Sequence, residues 1–98
     1  MTGKSLYSDE PVCWACGSPY VECHHVYGGV GRRPISDEEG CWIYLCHEHH
    51  QGTRSAHMDA GFRDWLRADC QRRWERREGL DGEEAHEEFR KRFGISYL

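Results

Sequence analysis

The sequence predicts a small α+β domain, on three observations. Residues 20–27 and 41–45 are rich in aromatic and β-branched side chains, which predicts two strands that pair as a hairpin. After residue 58, apolar residues recur every four positions, which predicts two amphipathic helices. Cysteines and histidines lie in pairs with two-residue spacers around the hairpin, a pattern typical of a metal that staples a domain too small for a large core.

The 98 residues are expected to form a single domain with three parts. Residues 1–11 are polar and lack periodicity, so they are predicted to be a flexible arm. Residues 12–57 are the metal-stapled core, and residues 58–98 are a helical extension. Within the core, the glycine-rich segment 28–40 is predicted to be a loop, and a short helix is predicted to begin near Cys46.

Two helices are predicted in the C-terminal extension. The longer one runs from Asp59, a favourable N-cap, to Glu78, and Gly79 stops it. The last one is expected to open with a capping box at residues 81–84 and to end at Gly94. The apolar stripe of the longer helix consists of Met58, Phe62, Leu66, Cys70 and Trp74, with Trp65 alongside, and that of the last helix of Ala85, Phe89 and Phe93.

The formal net charge of −4 argues against binding of nucleic acid by bulk charge alone. The charges are unevenly distributed, because residues 60–78 contain six arginines against four acids, whereas residues 79–88 contain five acids and neither Lys nor Arg. Arginines that alternate with acids on one helix favour a solvated, salt-bridged face over a phosphate-binding track. These arginines are Arg63, Arg67, Arg72, Arg73, Arg76 and Arg77.

Cys13 and Cys16 have the two-residue spacer of a zinc knuckle, and so do Cys46 and His49. The hairpin between the two pairs is suited to bring them together, so the sequence predicts a structural Zn²⁺ site with three cysteine ligands and one histidine ligand. Four protein ligands leave this ion no open position for chemistry. The alternative is that these residues are ordinary buried cysteines or a disulfide.

The cellular compartment follows from the same residues. Six cysteines could form disulfides in a secreted protein, but the ligand spacings and the seven histidines favour metal binding in a reducing compartment. A run of about 18 apolar residues and a hydrophobic leader are both missing from the sequence. The sequence therefore predicts a cytoplasmic protein without a membrane partner.

The remaining clustered histidines, His24, His25, His50 and His57, predict a second and more open metal site. Adjacent residues of a strand face opposite sides, so His24 and His25 cannot both ligate one ion. One of them can bind the ion while the other activates a water molecule beside it. The alternative is that the four are polar strand and loop residues without a role in catalysis.

Together these motifs resemble the HNH (ββα-metal, His-Me finger) endonuclease family, and particularly its small phage and prophage members. The resemblance covers residues 13–58 and rests on Cys-x-x-Cys, on Glu-x-His-His-Val followed by Gly-Gly, and on Leu-Cys-x-x-His-His. It implies a ββα-metal core and a metal-dependent DNA endonuclease, with His24 and His50 as ligands of the catalytic ion and His25 as the general base. It also implies a catalytic divalent cation, Mg²⁺, Mn²⁺ or another transition metal, beside the structural Zn²⁺.

The chain departs from the family pattern at two places. The family's usual four-residue step from His50 falls on Arg54, which is not a metal ligand, so His57 is the nearest substitute. The chain contains no asparagine, and Cys41 lies near the place of the family's middle Asn. We therefore expect a strand carbonyl to orient His25.

Three further arginines are candidates for contacts with the substrate. Arg32 and Arg33 lie on the glycine-rich segment and could contact DNA phosphates, and Arg54 could stabilise the pentacovalent phosphorane. Solvated loop arginines are the equally favoured alternative. The competing function is a non-catalytic zinc-ribbon module that binds nucleic acid or a phage or host recombination or packaging protein. The oligomeric state is left open by the sequence.

Overall fold

The fold is built on a two-stranded antiparallel sheet, in a computed structural model that describes residues 3–98. Strand β1 (Glu22–His25) pairs with strand β2 (Trp42–Leu45) so that Glu22 lies opposite Leu45 and His25 opposite Trp42. The helices of the described range are α1 (Arg33–Glu39), α2 (His47–Gln51), α3 (Ala60–Arg77) and α4 (Gly82–Phe93). The predicted α+β class is confirmed.

The core lies between the hairpin and the two long helices. Ile43 and Leu45 of β2 are fully buried and belong to one apolar cluster with Leu66 of α3 and Phe89 of α4. Tyr27, just beyond β1, is also buried and donates its hydroxyl to the carbonyl of Arg67 at 2.6 Å. The hairpin is therefore held against α3 by apolar packing and by a hydrogen bond between residues that are far apart in the sequence.

Helix α1 is a correction to the sequence analysis, which predicted a loop throughout residues 28–40. Pro34 lies in the first turn of the helix, where its fixed φ suits a helical start and its missing N–H is not needed. Gly40 ends the helix with a left-handed φ of 78°. The buried Ser36 donates its hydroxyl to the carbonyl of Tyr27 at 2.8 Å, which fixes α1 beside the hairpin. Packing thus stabilises a helix within a glycine-rich segment.

Helix α3 begins as predicted, because the Asp59 carboxylate accepts a hydrogen bond from the Phe62 N–H at 3.1 Å. The stripe of Leu66, Cys70 and Trp74 is buried. The stripe prediction is wrong for Met58, which precedes the helix and is 68% exposed. It is wrong for Trp65 as well, since this side chain is 46% exposed and contacts the aromatic rings of Trp14 and Phe62.

Helix α4 has the predicted apolar face and the predicted end. Ala85, Phe89 and Phe93 are buried, and Gly94 closes the helix with a left-handed φ of 88°. The predicted capping box is wrong, because the side chain of Asp81 makes no capping hydrogen bond. None of the helices within residues 3–98 has both the length and the apolar character that spanning a bilayer requires.

The N-terminal segment makes specific contacts that do not fit the predicted flexible arm. Ser5 donates its hydroxyl to the carbonyl of Trp42 at 2.6 Å, and the indole N–H of Trp42 donates to the carbonyl of Gly3 at 3.0 Å. The Tyr7 hydroxyl donates to Asp69 of α3 at 2.8 Å. Residues 1 and 2 of the arm lie outside the described residues. The segment from residue 3 to residue 7 is thus anchored on both β2 and α3.

We expect the N-caps of the two long helices to differ in their contribution to stability. Asp59→Ala removes a hydrogen bond to a backbone N–H and should lower the free energy of unfolding by about 1 kcal/mol. Asp81→Ala is the matched control, because its side chain makes no such bond, and it should cost less. Urea unfolding followed by circular dichroism measures both, and an equal loss in the two variants would contradict the assignment.

Candidate metal centres

The first cluster consists of Cys13, Cys16, Cys46 and His49, whose ligand atoms all lie within 4.8 Å of one another. The Sγ atoms of Cys16 and Cys46 are 3.7 Å apart, and His49 Nδ1 lies 3.8 Å from Cys13 Sγ and 3.2 Å from Cys46 Sγ. Thiolates bound tetrahedrally to an ion at about 2.3 Å are separated by about 3.7 Å. The predicted ligands are therefore brought together with the spacing that a single tetrahedral ion requires.

The backbone around the first cluster explains this convergence. Gly17 adopts a left-handed φ of 79°, and its N–H donates to the carbonyl of Cys13 at 2.7 Å, which closes the knuckle turn. The N–H of Trp14 donates to the carbonyl of Tyr44 at 2.9 Å and ties the knuckle to β2. Cys46 is the N-cap of α2, so it and His49 lie on one side of the first helical turn.

Electrostatics in the knuckle favour a metal-binding thiolate at Cys13. Burial raises the pKa of this thiol, but hydrogen bonds from the backbone N–H groups of Cys46, Cys16 and Ala15 outweigh it and lower the pKa to about 6. The thiolate therefore predominates at neutral pH, and less free energy is needed to remove its proton when a metal binds.

The second cluster is formed by three imidazoles from separate parts of the chain: His24 on β1, His50 on α2, and His57 on the loop before α3. Their ligand atoms lie within 4.8 Å of one another, and the Nε2 atoms of His50 and His57 are 3.1 Å apart. The loop is held because the N–H of Ala56 donates to the carbonyl of His49 at 2.9 Å. Three converging imidazoles could hold a metal ion and leave coordination positions open.

Glu22 is a part of this second centre that the sequence analysis quoted in a motif without giving it a role. Its carboxylate lies 2.7 Å from His50 Nδ1, so the Nε2 atom of His50 is the one left to face an ion. A carboxylate in this position orients a ligating imidazole and increases its basicity. The pKa of Glu22 is lowered by the hydrogen bonds from His50 and from His47. The sequence could have indicated this role, because Glu22 lies two residues before His24 and therefore on the same face of β1.

The protonation states of His24 and His57 also suit an ion. Burial, and then the charges of His50 and His57, lower the pKa of His24 to about 3. Burial, followed by His50 and Arg63, also lowers the pKa of His57. Above pH 3 the His24 ring is therefore neutral, and protons do not compete with a metal for its lone pair.

His25 points to a different partner from its neighbour His24. Its Nε2 atom lies 2.6 Å from Oδ1 of Asp37 on α1. The carboxylate of Asp37 therefore orients the ring, where the sequence analysis expected a strand carbonyl. Asp37 was missed because it lies in the segment predicted to be a loop, and only the packing of α1 on the hairpin brings it to His25.

An open cleft of about 260 Å³ joins these groups, since His24, His25, His50 and His57 all line it. Arg33 lines it too, whereas Arg32 donates its Nε hydrogen to the carbonyl of Phe93 at 3.0 Å. The cleft thus holds His25, which is bound to Asp37, beside the three imidazoles that converge.

The expectation that Arg54 takes part in the site does not fit the structure, because its side chain is exposed and does not line the cleft. The physical reason is that α2 ends at Gln51, so position 54 is no longer one helical turn beyond His50. The loop that follows instead brings His57 next to His50.

Two arginines of α3 lie where the sequence analysis did not place them. Arg63 and Arg67 line a small cavity of about 70 Å³ together with His24, His25 and His57. The predicted salt-bridged face describes Arg73 with Asp69 and Arg77 with Glu39. Arg63 also pairs with Asp64, at 3.7 Å, whereas Arg67 forms no ion pair among the described residues. The sequence could have indicated this position, because Arg63 and Arg67 each follow an apolar residue of the stripe and therefore lie at the edge of the buried face of α3.

The fold and the two clusters define the chain as a small α+β protein with two adjoining candidate metal centres. A comparison with protein-family models, with curated proteins and with solved structures gives no match. The assignment of residues to the two centres therefore rests on the geometry of this chain alone.

We expect the first cluster to stabilise the fold through its metal. Because the ligands form no site in the unfolded chain, the free energy of metal binding becomes free energy of folding. Chelation of the metal, or Cys13→Ser, should abolish the cooperative unfolding transition in circular dichroism. Cys23→Ser is the matched control, since this half-buried thiol of β1 lies outside the cluster, and it should keep one tightly bound metal per chain by elemental analysis. A native spectrum after complete metal removal would contradict the assignment.

For the second cluster, we expect Glu22→Gln to weaken ion binding about 10- to 100-fold, because the amide no longer fixes His50 as the carboxylate does. His24→Ala should weaken it further, since a ligand is lost. The control is His47→Ala, which removes an exposed imidazole that also contacts Glu22 but lies outside the cluster. Calorimetric titration with Mn²⁺, in protein whose cysteine cluster is already filled, measures all three. Equal affinities in wild type and His24→Ala would exclude the site.

Proposed function

We propose that the chain is a metal-dependent DNA endonuclease of the HNH (ββα-metal) type. One observation carries the proposal: His25, bound to Asp37 at 2.6 Å, lies in the same cleft as the convergent His24, His50 and His57. A potential base beside an open metal site is the arrangement that hydrolysis of a phosphodiester requires. The hairpin followed directly by α2, which carries His50, supports assignment to a ββα-metal core.

In the proposed reaction, His25 removes a proton from the attacking water. When its Nε2 atom donates to Asp37, Nδ1 is the basic nitrogen of the ring. The carboxylate of Asp37 then stabilises the imidazolium that forms, as it would in a catalytic triad. The deprotonated water attacks the phosphorus atom, and the bond to the 3′-oxygen breaks.

The two centres would have different roles in this enzyme. Zinc is the proposed occupant of the first cluster, because three thiolates and one imidazole suit its tetrahedral preference. His24, His50 and His57 would hold a catalytic divalent cation, which supplies Lewis-acid stabilisation of charge on the phosphate and on the leaving oxygen. An all-imidazole set favours Mn²⁺ or another transition metal over Mg²⁺ in vitro, although Mg²⁺ is the more abundant ion in cells.

The alternative function, a non-catalytic binding module, has one observation in its favour. Trp14 and Trp65 are exposed beside the cysteine cluster, with ring centroids 6.1 Å apart, and could contact a protein or a nucleic acid base. The alternative gives no reason for three imidazoles to converge, or for the pKa values of His24 and His57 to be lowered. We therefore favour the endonuclease.

The decisive variant is His25→Ala. As the base, His25 is needed for proton transfer, and its loss should reduce nicking of supercoiled plasmid by about 10²- to 10⁴-fold. The variant should keep its zinc, its circular dichroism spectrum and its affinity for Mn²⁺, because His25 belongs to neither cluster. His24→Ala and His50→Ala should regain part of their activity at high Mn²⁺ concentration, and His25→Ala should not.

Two controls make the result specific. His86→Ala removes an imidazole that pairs with Glu75 on the far part of α3, and it should nick at the wild-type rate. Asp37→Asn should lose activity but less than His25→Ala, because it removes only the group that orients the base. If His25→Ala nicks as fast as the wild type in highly purified preparations, the endonuclease mechanism fails and the binding module takes its place.

A further inference from the structure

Arg63 and Arg67 carry an unusual feature, because the Nε atom of each is buried and has no hydrogen-bond partner among the described residues. Arg63 Nε forms an ion pair with Asp64 Oδ1 at 3.7 Å, but this distance is too long for a hydrogen bond. A buried donor of a charged group that lacks a hydrogen-bond partner is energetically costly, so such donors in folded proteins usually face a ligand or water.

Both arginines line a cavity that adjoins the second metal centre. Arg63 and Arg67 are one helical turn apart on α3, so their side chains project in the same direction. The cavity of about 70 Å³ that they line is also lined by His24, His25 and His57, which belong to the cleft. About 10–15 Å³ is enough for one water molecule, so the cavity has room for more than one oxygen atom of an oxyanion.

Among the described residues, Arg67 has no ion pair, and Arg63 has a single long one of 3.7 Å with Asp64, whose side chain is 71% exposed. Of the acids nearest the cleft, Glu22 is bound to His50 and His47, and Asp37 is bound to His25. A divalent cation on the imidazoles would add further positive charge, and an anion is the ligand that balances it.

We propose that Arg63 and Arg67 form a phosphate-binding site on α3 that holds the non-bridging oxygens of the phosphodiester at the metal centre. The inference rests on the proposed function, and it names the group of the substrate that α3 recognises. Arginine is suited to this role because its N–H groups match phosphate oxygens and its charge persists at all working pH values. The two residues would position the phosphate and stabilise the charge that develops on it.

Direct observation of the two Nε–Hε groups tests the site without any need for cleavage. In zinc-reconstituted, full-length protein with Mg²⁺, inorganic phosphate is titrated at constant ionic strength while the arginine Nε–Hε signals are recorded by ¹H–¹⁵N NMR. Arg63→Gln and Arg67→Gln assign the two signals. Both should shift and saturate, because each Hε gains an oxygen acceptor. The signal of Arg73 is the control and should stay unchanged, since its Nε already donates to Asp69 at 2.9 Å.

Signals of Arg63 and Arg67 that do not move, or that move no more than that of Arg73, would overturn the inference and indicate that water fills the cavity. The wild-type spectra decide this even if a variant does not fold. They also separate the two proposals. Saturable shifts without plasmid nicking would support the phosphate site and refute the endonuclease. Nicking without shifts would support the endonuclease and refute the phosphate site.

Cleavage supplies the second measurement. Arg63→Gln and Arg67→Gln should each reduce plasmid nicking about 10- to 100-fold, the usual scale for losing one charged donor to a reacting group, while zinc content and Mn²⁺ affinity stay unchanged. Arg63→Lys should recover part of the loss, since the charge is kept. Arg72→Gln is the matched control, because Arg72 belongs to the same helix but lines a different surface with Arg76 and His86. Equal nicking by Arg63→Gln, Arg67→Gln and Arg72→Gln would contradict the site.

Discussion

Both candidate centres depend on the register of the β1–β2 hairpin. Because Glu22 pairs with Leu45, the chain leaves β2 beside the start of β1, and α2 begins at once. This brings Cys46 to the knuckle that is bound to Tyr44, and it brings His50 to Glu22. A slip of one residue would move His24 and His25 to each other's faces of the sheet and separate both sets of ligands. The hydrophobic residues of β2 prevent such a slip, because a shifted strand would expose them to water.

The two centres share the short helix α2 but differ in what they offer a metal. His49 completes a set of three thiols and one imidazole, in which every coordination position of a tetrahedral ion comes from the protein. His50, the next residue, belongs to the imidazole cluster, which borders an open cleft. Adjacent residues of a helix point about 100° apart, so one turn can serve both centres. The closed centre can stabilise a small fold, while the open one retains positions for a substrate.

Charge is arranged locally rather than by composition. The chain is acidic, with a formal net charge of −4, yet the acids nearest the cleft are bound to histidines. On α3, Arg73 and Arg77 form short ion pairs with carboxylates. The buried Nε atoms of Arg63 and Arg67, two residues that line a cavity with His24 and His57, have no hydrogen-bond partner among the described residues. The total charge of a small acidic protein therefore does not decide the field at a cleft, because interactions across a few ångströms outweigh a diffuse and screened total charge.

The sequence by itself determined the features that depend on neighbouring residues: the hairpin, the two long helices with their ends, and the paired spacing of the cysteine cluster. It also indicated that His24 and His25 have different partners, since adjacent strand residues face opposite sides. Only the tertiary structure decided which distant groups meet. Helix α1 forms in a glycine-rich segment because Ser36 packs against Tyr27, and Asp37 reaches His25 as a result. Such contacts join residues far apart in the chain, and local pattern carries no information on them.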